Sequence, residues 1–414
     1  MKTSTKVLFY IICAISLISC YKSAERSTKF TPEQVASLGL DSTKSIKVVS
    51  TDSIININLN PFLKQDSLRI GEMLKSIKFI PLETTDNSLV ANIEEILVTD
   101  SNLYIADSYK GGSLLIFDKN GKFLKRIIRG QGPEEILELK SFAFNREKQE
   151  LIMYHSRFLS FYTPDGKFKR KEMLPFNALD FTVIPNGYLF RNSQGPDNRH
   201  LGFSQIFQIL ITNEDFKLEY IGVPYLYSKE NNFEGKKYIS LSEKDINLTF
   251  KFNDTIFQYV NNGSLKAKYV LNYRDKKIPD RVIKELPVMD FFKETRDNNY
   301  YFFMGKYIEN NTNDFFELSN NYIKTNTRIF RNKETGNLLG GTILTTNQSN
   351  FPYINIPVTS YKSYFVSYFL PEKMDILKEI IKQSELLSDE DRAILQNIED
   401  DDNPVLVFYE LKDF

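Results

Sequence analysis

The chain has 414 residues, 53 basic and 53 acidic, with 42% hydrophobic and 14% aromatic residues, including 33 Phe and 23 Tyr but no Trp. That apolar and aromatic load excludes wholesale disorder and favours strands. The balanced charge offers no basic excess to displace counterions from a polyphosphate, which excludes nucleic acid as a partner.

Lys2 and Lys6 precede an apolar run, Val7 to Ile18, that ends at Ser19 and Cys20. The run is about twelve residues, against about twenty needed to span the hydrocarbon core, so residues 1–19 read as a cleaved secretory signal. Removing Lys2 and Lys6 leaves 51 basic against 53 acidic residues. Leu17-Ile18-Ser19-Cys20 resembles the bacterial lipobox, in which cleavage precedes a cysteine that is then acylated. The resemblance implies lipidation of Cys20, with the membrane as a partner reached through the lipid, and more than one acyl chain is needed for firm attachment. Lipid anchoring in the cell envelope, at the outer membrane, is the expectation. The periplasmic side is favoured because Tyr21-Lys22-Ser23-Ala24-Glu25-Arg26 lacks the acidic stretch of a surface-export signal. Cys13 and Cys20 are the only cysteines, so the folded part has no thiol for disulfides, nucleophilic catalysis or zinc.

After Cys20 the chain stays polar to about residue 75, with little apolar periodicity, and reads as a tether. From Ser76 short apolar alternations are separated by turns. Leu103–Asp107, Leu114–Phe117, Asp118-Lys119-Asn120-Gly121 and Lys122–Ile127 read as strand, strand, turn, strand. A second copy follows at Glu150–Tyr154, Phe158–Tyr162, Pro164-Asp165-Gly166 and Lys167–Lys169. The turn anchors Gly121, Gly166, Asp215 and Gly263 lie 45, 49 and 48 residues apart, the length of a four-stranded propeller blade. The next anchor, Gly336, comes 73 residues later, which implies an insertion over Ile278 to Thr295. Residues 371–402 read as two helices, from the stripe Met374, Leu377 and Ile381 and the cap Ser388-Asp389-Glu390-Asp391. A last strand begins at Pro404. Because a ring must not leave an edge open, Ser76 to Leu82 and Pro404 to Leu411 are expected in one blade.

Phe79-Ile80-Pro81-Leu82-Glu83-Thr84, Gly130-Gln131-Gly132-Pro133-Glu134-Glu135, Asp254-Thr255-Ile256-Phe257 and Asn403-Pro404-Val405-Leu406-Val407 together resemble the six-bladed β-propeller lipoproteins of the Bacteroidetes, which are similar to NHL-repeat propellers. The resemblance covers residues 76–414. It implies an all-β six-bladed propeller with a short helical insertion near the C-terminus, and it implies no reaction.

Candidate chemistry is sparse. In the loop Arg129 to Glu135 the glycines and proline suit a tight connection between blades, while Arg129, Gln131, Glu134 and Glu135 are the candidate ligand-binding side chains. His155 and His200 stand alone, without metal-ligand spacing, and Gly-x-Ser-x-Gly is absent. Asp107 and Asp118 read as turn caps, and Asp400-Asp401-Asp402 as a solvated run. No cofactor is expected, and no motif supports structural calcium. The sequence thus favours a non-catalytic module for a small-molecule, glycan or protein ligand. A hydrolase or lyase acting on a sugar or lactone-like substrate in the channel is the alternative.

Overall fold

The computed structural model describes residues 30–49, 54–63, 67–132, 134–193, 196–225, 238–320, 326–345, 355–372, 374–384 and 387–414, so Cys20 and the signal lie outside the described residues. Six antiparallel sheets follow one another as the blades of a propeller. Blades 1 to 5 occupy residues 95–128, 139–173, 178–224, 239–272 and 302–341. Blade 6 combines Thr359–Tyr361, Tyr364–Phe369 and Val405–Leu411 with Leu74–Pro81 as its outer strand.

The strand Glu150–His155 shows why such sequences make blades. All six residues are buried, and successive side chains serve opposite faces. Leu151 and Met153 pack with Tyr104, Leu114 and Ile116 of blade 1, whereas Ile152 and Tyr154 pack with Phe181, Phe190 and Leu210 of blade 3. A sheet covered on both faces reads as a continuous apolar run. The anchors Gly121, Gly166, Gly263 and Gly336 sit in the turns between third and outer strands with φ of 88°, 84°, 69° and 77°, a region open to glycine at little cost.

Closure follows the expected pairing. Val405 stands opposite Pro81, Val407 opposite Phe79 and Tyr409 opposite Ile77. Asn403 locks the joint: its Nδ2 donates to the carbonyls of Glu83 and Ser88, both at 2.8 Å, and its Oδ1 accepts from Val90 N at 2.8 Å.

The expected tether, residues 20–75, requires correction from Phe30 onward. Phe30 is buried beside His200, their ring centroids 4.5 Å apart. Lys44–Ser45 then pairs in parallel with the outer strand of blade 3, Lys47–Val49 and Ile55–Asn58 with that of blade 4, and Ser67–Arg69 with Ile343–Thr345. The segment is a strap along the outer edges of blades 3 to 5. Backbone hydrogen bonds and a few separated anchors, Leu38, Ile57, Leu59 and Leu63, hold it, and so sparse a set leaves no periodic trace.

Connections divide the ring into two faces. Turns from first to second and from third to outer strands are short in every blade where both lie in sequence. The opposite face carries the long connections: the Gly-rich loop, the segment Pro196–Ile206, the helices Asp280–Glu285 and Val288–Asp297, and the helices Met374–Gln383 and Asp389–Gln396. The two helices expected over residues 371–402 are therefore present, and the insertion expected over Ile278 to Thr295 is also there and folds as helices. Among the described residues no helix is long and apolar enough to cross a membrane.

Candidate functional site

The inner strands of blades 1, 2, 4, 5 and 6 enclose a cavity of about 470 Å³ in the centre of the ring. From the long inner strands of blades 2 and 5 only the later residues contribute, Phe144 and Arg146 and then Met304 to Asn310, so the cavity lies toward the short-turn face. Its wall mixes apolar groups such as Ile96, Val98, Leu241 and Ile308 with Glu94, Glu243, Lys306 and Lys362.

Blade 5 shapes this wall through an irregular inner strand. Along Phe302–Glu309, Phe303 pairs with Leu318 but the next pair is Tyr307 with Phe316, so two additional residues bulge out of the ladder. Gly305, in the bulge, has φ of 91°, and a Cβ there would lie 2.5 Å from the Tyr238 ring. Its carbonyl accepts from Thr249 Oγ1 at 2.6 Å. The bulge presents Met304 and Lys306 to the cavity. Burial lowers the Lys306 pKa, with Glu317 pulling the other way. Arg328 holds Glu317 at 3.2 Å.

Behind the wall, between blades 4 and 5, lies a network of buried charge. The Lys268 ammonium contacts Glu309 and lies 3.2 Å from Asp245. Arg331 meets Asp314 at 2.9 Å and stacks over Tyr269. The Tyr307 hydroxyl lies 2.6 Å from Glu309 Oε2 and 2.8 Å from Asp314 Oδ1, so one phenolic proton faces two carboxylates. Burial alone would raise both acids. For Glu309 it is outweighed by Lys268 and Lys333, which hold the carboxyl down at about 2. For Asp314 burial prevails, and the charge of Glu309 adds to it, raising the pKa.

The residues singled out from sequence sit elsewhere. Arg129, Gln131 and Glu134 are exposed and Glu135 half-buried on the long-connection face, and none lines the cavity. The loop is held internally: Gly130 N donates to Ile136 O at 2.9 Å and Gly132 N to Glu135 Oε2 at 2.7 Å. A Cβ on Gly130 would strike that carboxylate. Pro133 lies outside the described residues. His155 is buried, with Nε2 2.7 Å from Ser160 Oγ and Nδ1 accepting from Leu137 N at 3.3 Å. Asp107 accepts from the backbone of Ala91 and Gly111, Asp118 from that of Asn120 and Lys122, and Asp400 from Met374 N. Among the described residues no three His, Cys, Asp or Glu side chains gather as metal ligands would. Sequence reasoning missed Lys306, Tyr307 and Glu309. The available signal was Gly305, an isolated glycine inside a strand pattern, which marks a bulge.

A family model described as a domain of unknown function (DUF4934) matches residues 53–410. No curated protein matches the sequence. Among solved structures, a Bacteroides fragilis protein named as exported aligns with a TM-score of 0.68 at 18% identity, covering 87% of this chain and 100% of its own. BamB from Moraxella catarrhalis gives 0.34 at 9% identity over 64% of this chain and 66% of that one. The RRP9 WD40 repeats give 0.40 at 10% identity over 82% and 99%. The first likeness shows the fold alone, and the other two are too distant to carry an argument.

Proposed function

The chain belongs to the DUF4934 family, and from that premise and the channel geometry we propose that it is a non-catalytic binding propeller of the cell envelope, lipid-anchored at Cys20, with its ligand site in the central channel. The observation that carries this reading is the cavity of about 470 Å³, whose wall combines apolar side chains with eight charged ones. A concave site with apolar walls and convergent polar groups suits a small molecule. The anchor rests on the tetrad Leu17-Ile18-Ser19-Cys20 behind a short apolar run, and the outer membrane, on its periplasmic side, is the proposed location. Intact-mass measurement of the native protein tests it: an acylated Cys20 N-terminus is expected, and an unmodified one would refute the anchor.

A thermal-shift screen of mixed glycans and metabolites tests the site, because a ligand that binds only the native state raises its stability. Arg129→Ala removes an exposed loop charge and should leave the midpoint and any ligand-induced rise unchanged, an exposed substitution being worth within about 0.5 kcal/mol. Loss of the rise in that variant would move the site to the loop with Arg129, Gln131, Glu134 and Glu135. Turnover of a hit would make the protein an enzyme.

A further inference from the structure

We propose that the channel ligand is a monocarboxylate with an apolar body, its carboxylate meeting the Lys306 ammonium. The proposal rests on the channel reading above and adds the chemical class.

The case lies in which charges of the wall are already engaged. Glu94 accepts from the backbone of Ser108 at 2.6 Å and of Tyr109 at 3.0 Å. Glu243 accepts from Asn311 Nδ2 at 2.9 Å, Glu309 is held by Lys268, and Glu317 lies 3.2 Å from Arg328. Glu95 likewise has a partner within the protein. On the cationic side, Lys362 pairs with Asp100 at 2.9 Å, and Arg146 lies exposed at the mouth with Asp100 in its field. Lys306 differs from all of these. Among the described residues it has neither a hydrogen bond nor an ion pair, only the Phe315 ring 5.8 Å away. Its neighbouring acid, Glu317, comes with Arg328, so the two fields oppose one another at Lys306.

An ammonium half out of water without a counterion is costly, and an entering anion relieves that cost. An amine would instead meet carboxylates already taken and a like charge at Lys306. The same wall carries Ile96, Val98, Phe144, Leu241 and Ile308, which suit an apolar body because removing methylenes from water is favourable. The bulge adds an independent indication. The strand forgoes regular pairing at Met304 to Lys306 and requires a glycine against Tyr238, a local cost of the kind found next to binding and catalytic sites.

Calorimetry on the mature chain with octanoate, octylamine and 1-octanol tests this. Octanoate is expected to bind about tenfold or more tighter than the other two, the range of a charge-assisted contact. K306M should lose that margin while keeping the weak affinity for octanol, and K306R, which retains the charge, should keep octanoate. Equal octanoate affinity in K306M and the parent, preference for octylamine, or no octanoate binding to the parent would overturn the carboxylate assignment and leave the channel reading standing. S240F, which places a ring in the cavity wall contributed by blade 4, separates the two failures. Undiminished octanoate binding in that variant would place the site outside the channel.

Discussion

The interface between blades 2 and 3 and that between blades 4 and 5 join equivalent strands with opposite chemistry. Between blades 2 and 3, Phe161, Phe176, Phe181 and Phe190 interlock, with Phe176 and Phe190 edge to face at 5.0 Å. Between blades 4 and 5, apolar packing around Phe303 and Phe316 is interrupted by Lys268, Glu309, Asp314 and Arg331. The first interface depends on shape and the second also on a balance of buried charge, which lies directly behind the bulged wall of the channel. The same blade geometry thus accommodates a joint built on interlocking rings and a joint built around buried charge beside the channel.

The largest test asks whether these joints are independent. Deleting residues 404–414 removes the strand Val405–Leu411, which alone links Leu74–Pro81 to the rest of blade 6. The ring then exposes two edges. Loss of the cooperative melt and aggregation of the whole protein are expected, although both contrasted joints lie outside the deleted strand. A truncated protein that stayed monomeric with its melting midpoint intact would show that closure contributes nothing to them.

A pair of substitutions probes the difference itself. Phe190→Ala opens a cavity among buried rings and should cost about 3–5 kcal/mol, independent of pH. Arg331→Met leaves Asp314 without its partner at 2.9 Å and should cost about 3 kcal/mol near neutral pH. The second loss should shrink on acidification. Asp314 already has a raised pKa in the fold, so above its ordinary range its ionisation penalises the native state, and protonation removes that penalty. Chemical denaturation of both variants at pH 7.5 and 5 measures the contrast. Parallel pH dependence would mean that the charge network plays no separate part.

The apolar joint was far more legible in the sequence than the charged one. Glu150–His155 and Phe158–Tyr162 alternate cleanly toward two covered faces, and a turn glycine follows at a regular spacing, so local pattern and tertiary role agree. The closing blade was legible for another reason. The motif pieces Phe79 to Thr84 and Asn403 to Val407 lie more than 300 residues apart in sequence yet form one hydrogen-bonded joint. The channel wall was not legible. Lys306, Glu309 and Asp314 look like ordinary solvated strand residues, and their meaning depends on Lys268 and Arg331 arriving from other strands. The strap was hidden too, because pairing through backbone groups places little demand on side chains. Of the candidate side chains in the Gly-rich loop, Glu135 holds the loop against itself, while Arg129, Gln131 and Glu134 lie exposed.

The smallest effect separates the two regions by pH alone. His155, in blade 2, accepts from Leu137 N through Nδ1, so the neutral imidazole carries its proton on Nε2 and donates it to Ser160 Oγ. Burial, with Lys171 adding to it, pushes its pKa down to about 4 from an ordinary 6.5. The unfolded chain therefore takes up this proton first as pH falls below 6.5, and native stability is lost between about pH 6.5 and 4. Allowing for solvent near the ring, the loss is about 2 kcal/mol. His200, also lowered by burial, acts in the same direction. Glu309 behaves oppositely in both sign and window. Its pKa in the fold is about 2 against an ordinary 4.5, so the stability it contributes is present above 4.5 and is lost only as pH falls through about 2. Lowering the pH from 7 to 5 should consequently weaken the joint that holds the Leu137 amide and leave the charged joint between blades 4 and 5 intact. Hydrogen exchange at the two pH values, corrected for intrinsic rates, should show faster relative opening at Leu137 and unchanged protection in Phe302–Glu309. His155→Gln should flatten most of the stability change across that interval. Equal opening in both regions, or a profile untouched by the substitution, would mean that acid acts on the ring as a whole and not through the histidine that holds the Leu137 amide at the entry to blade 2.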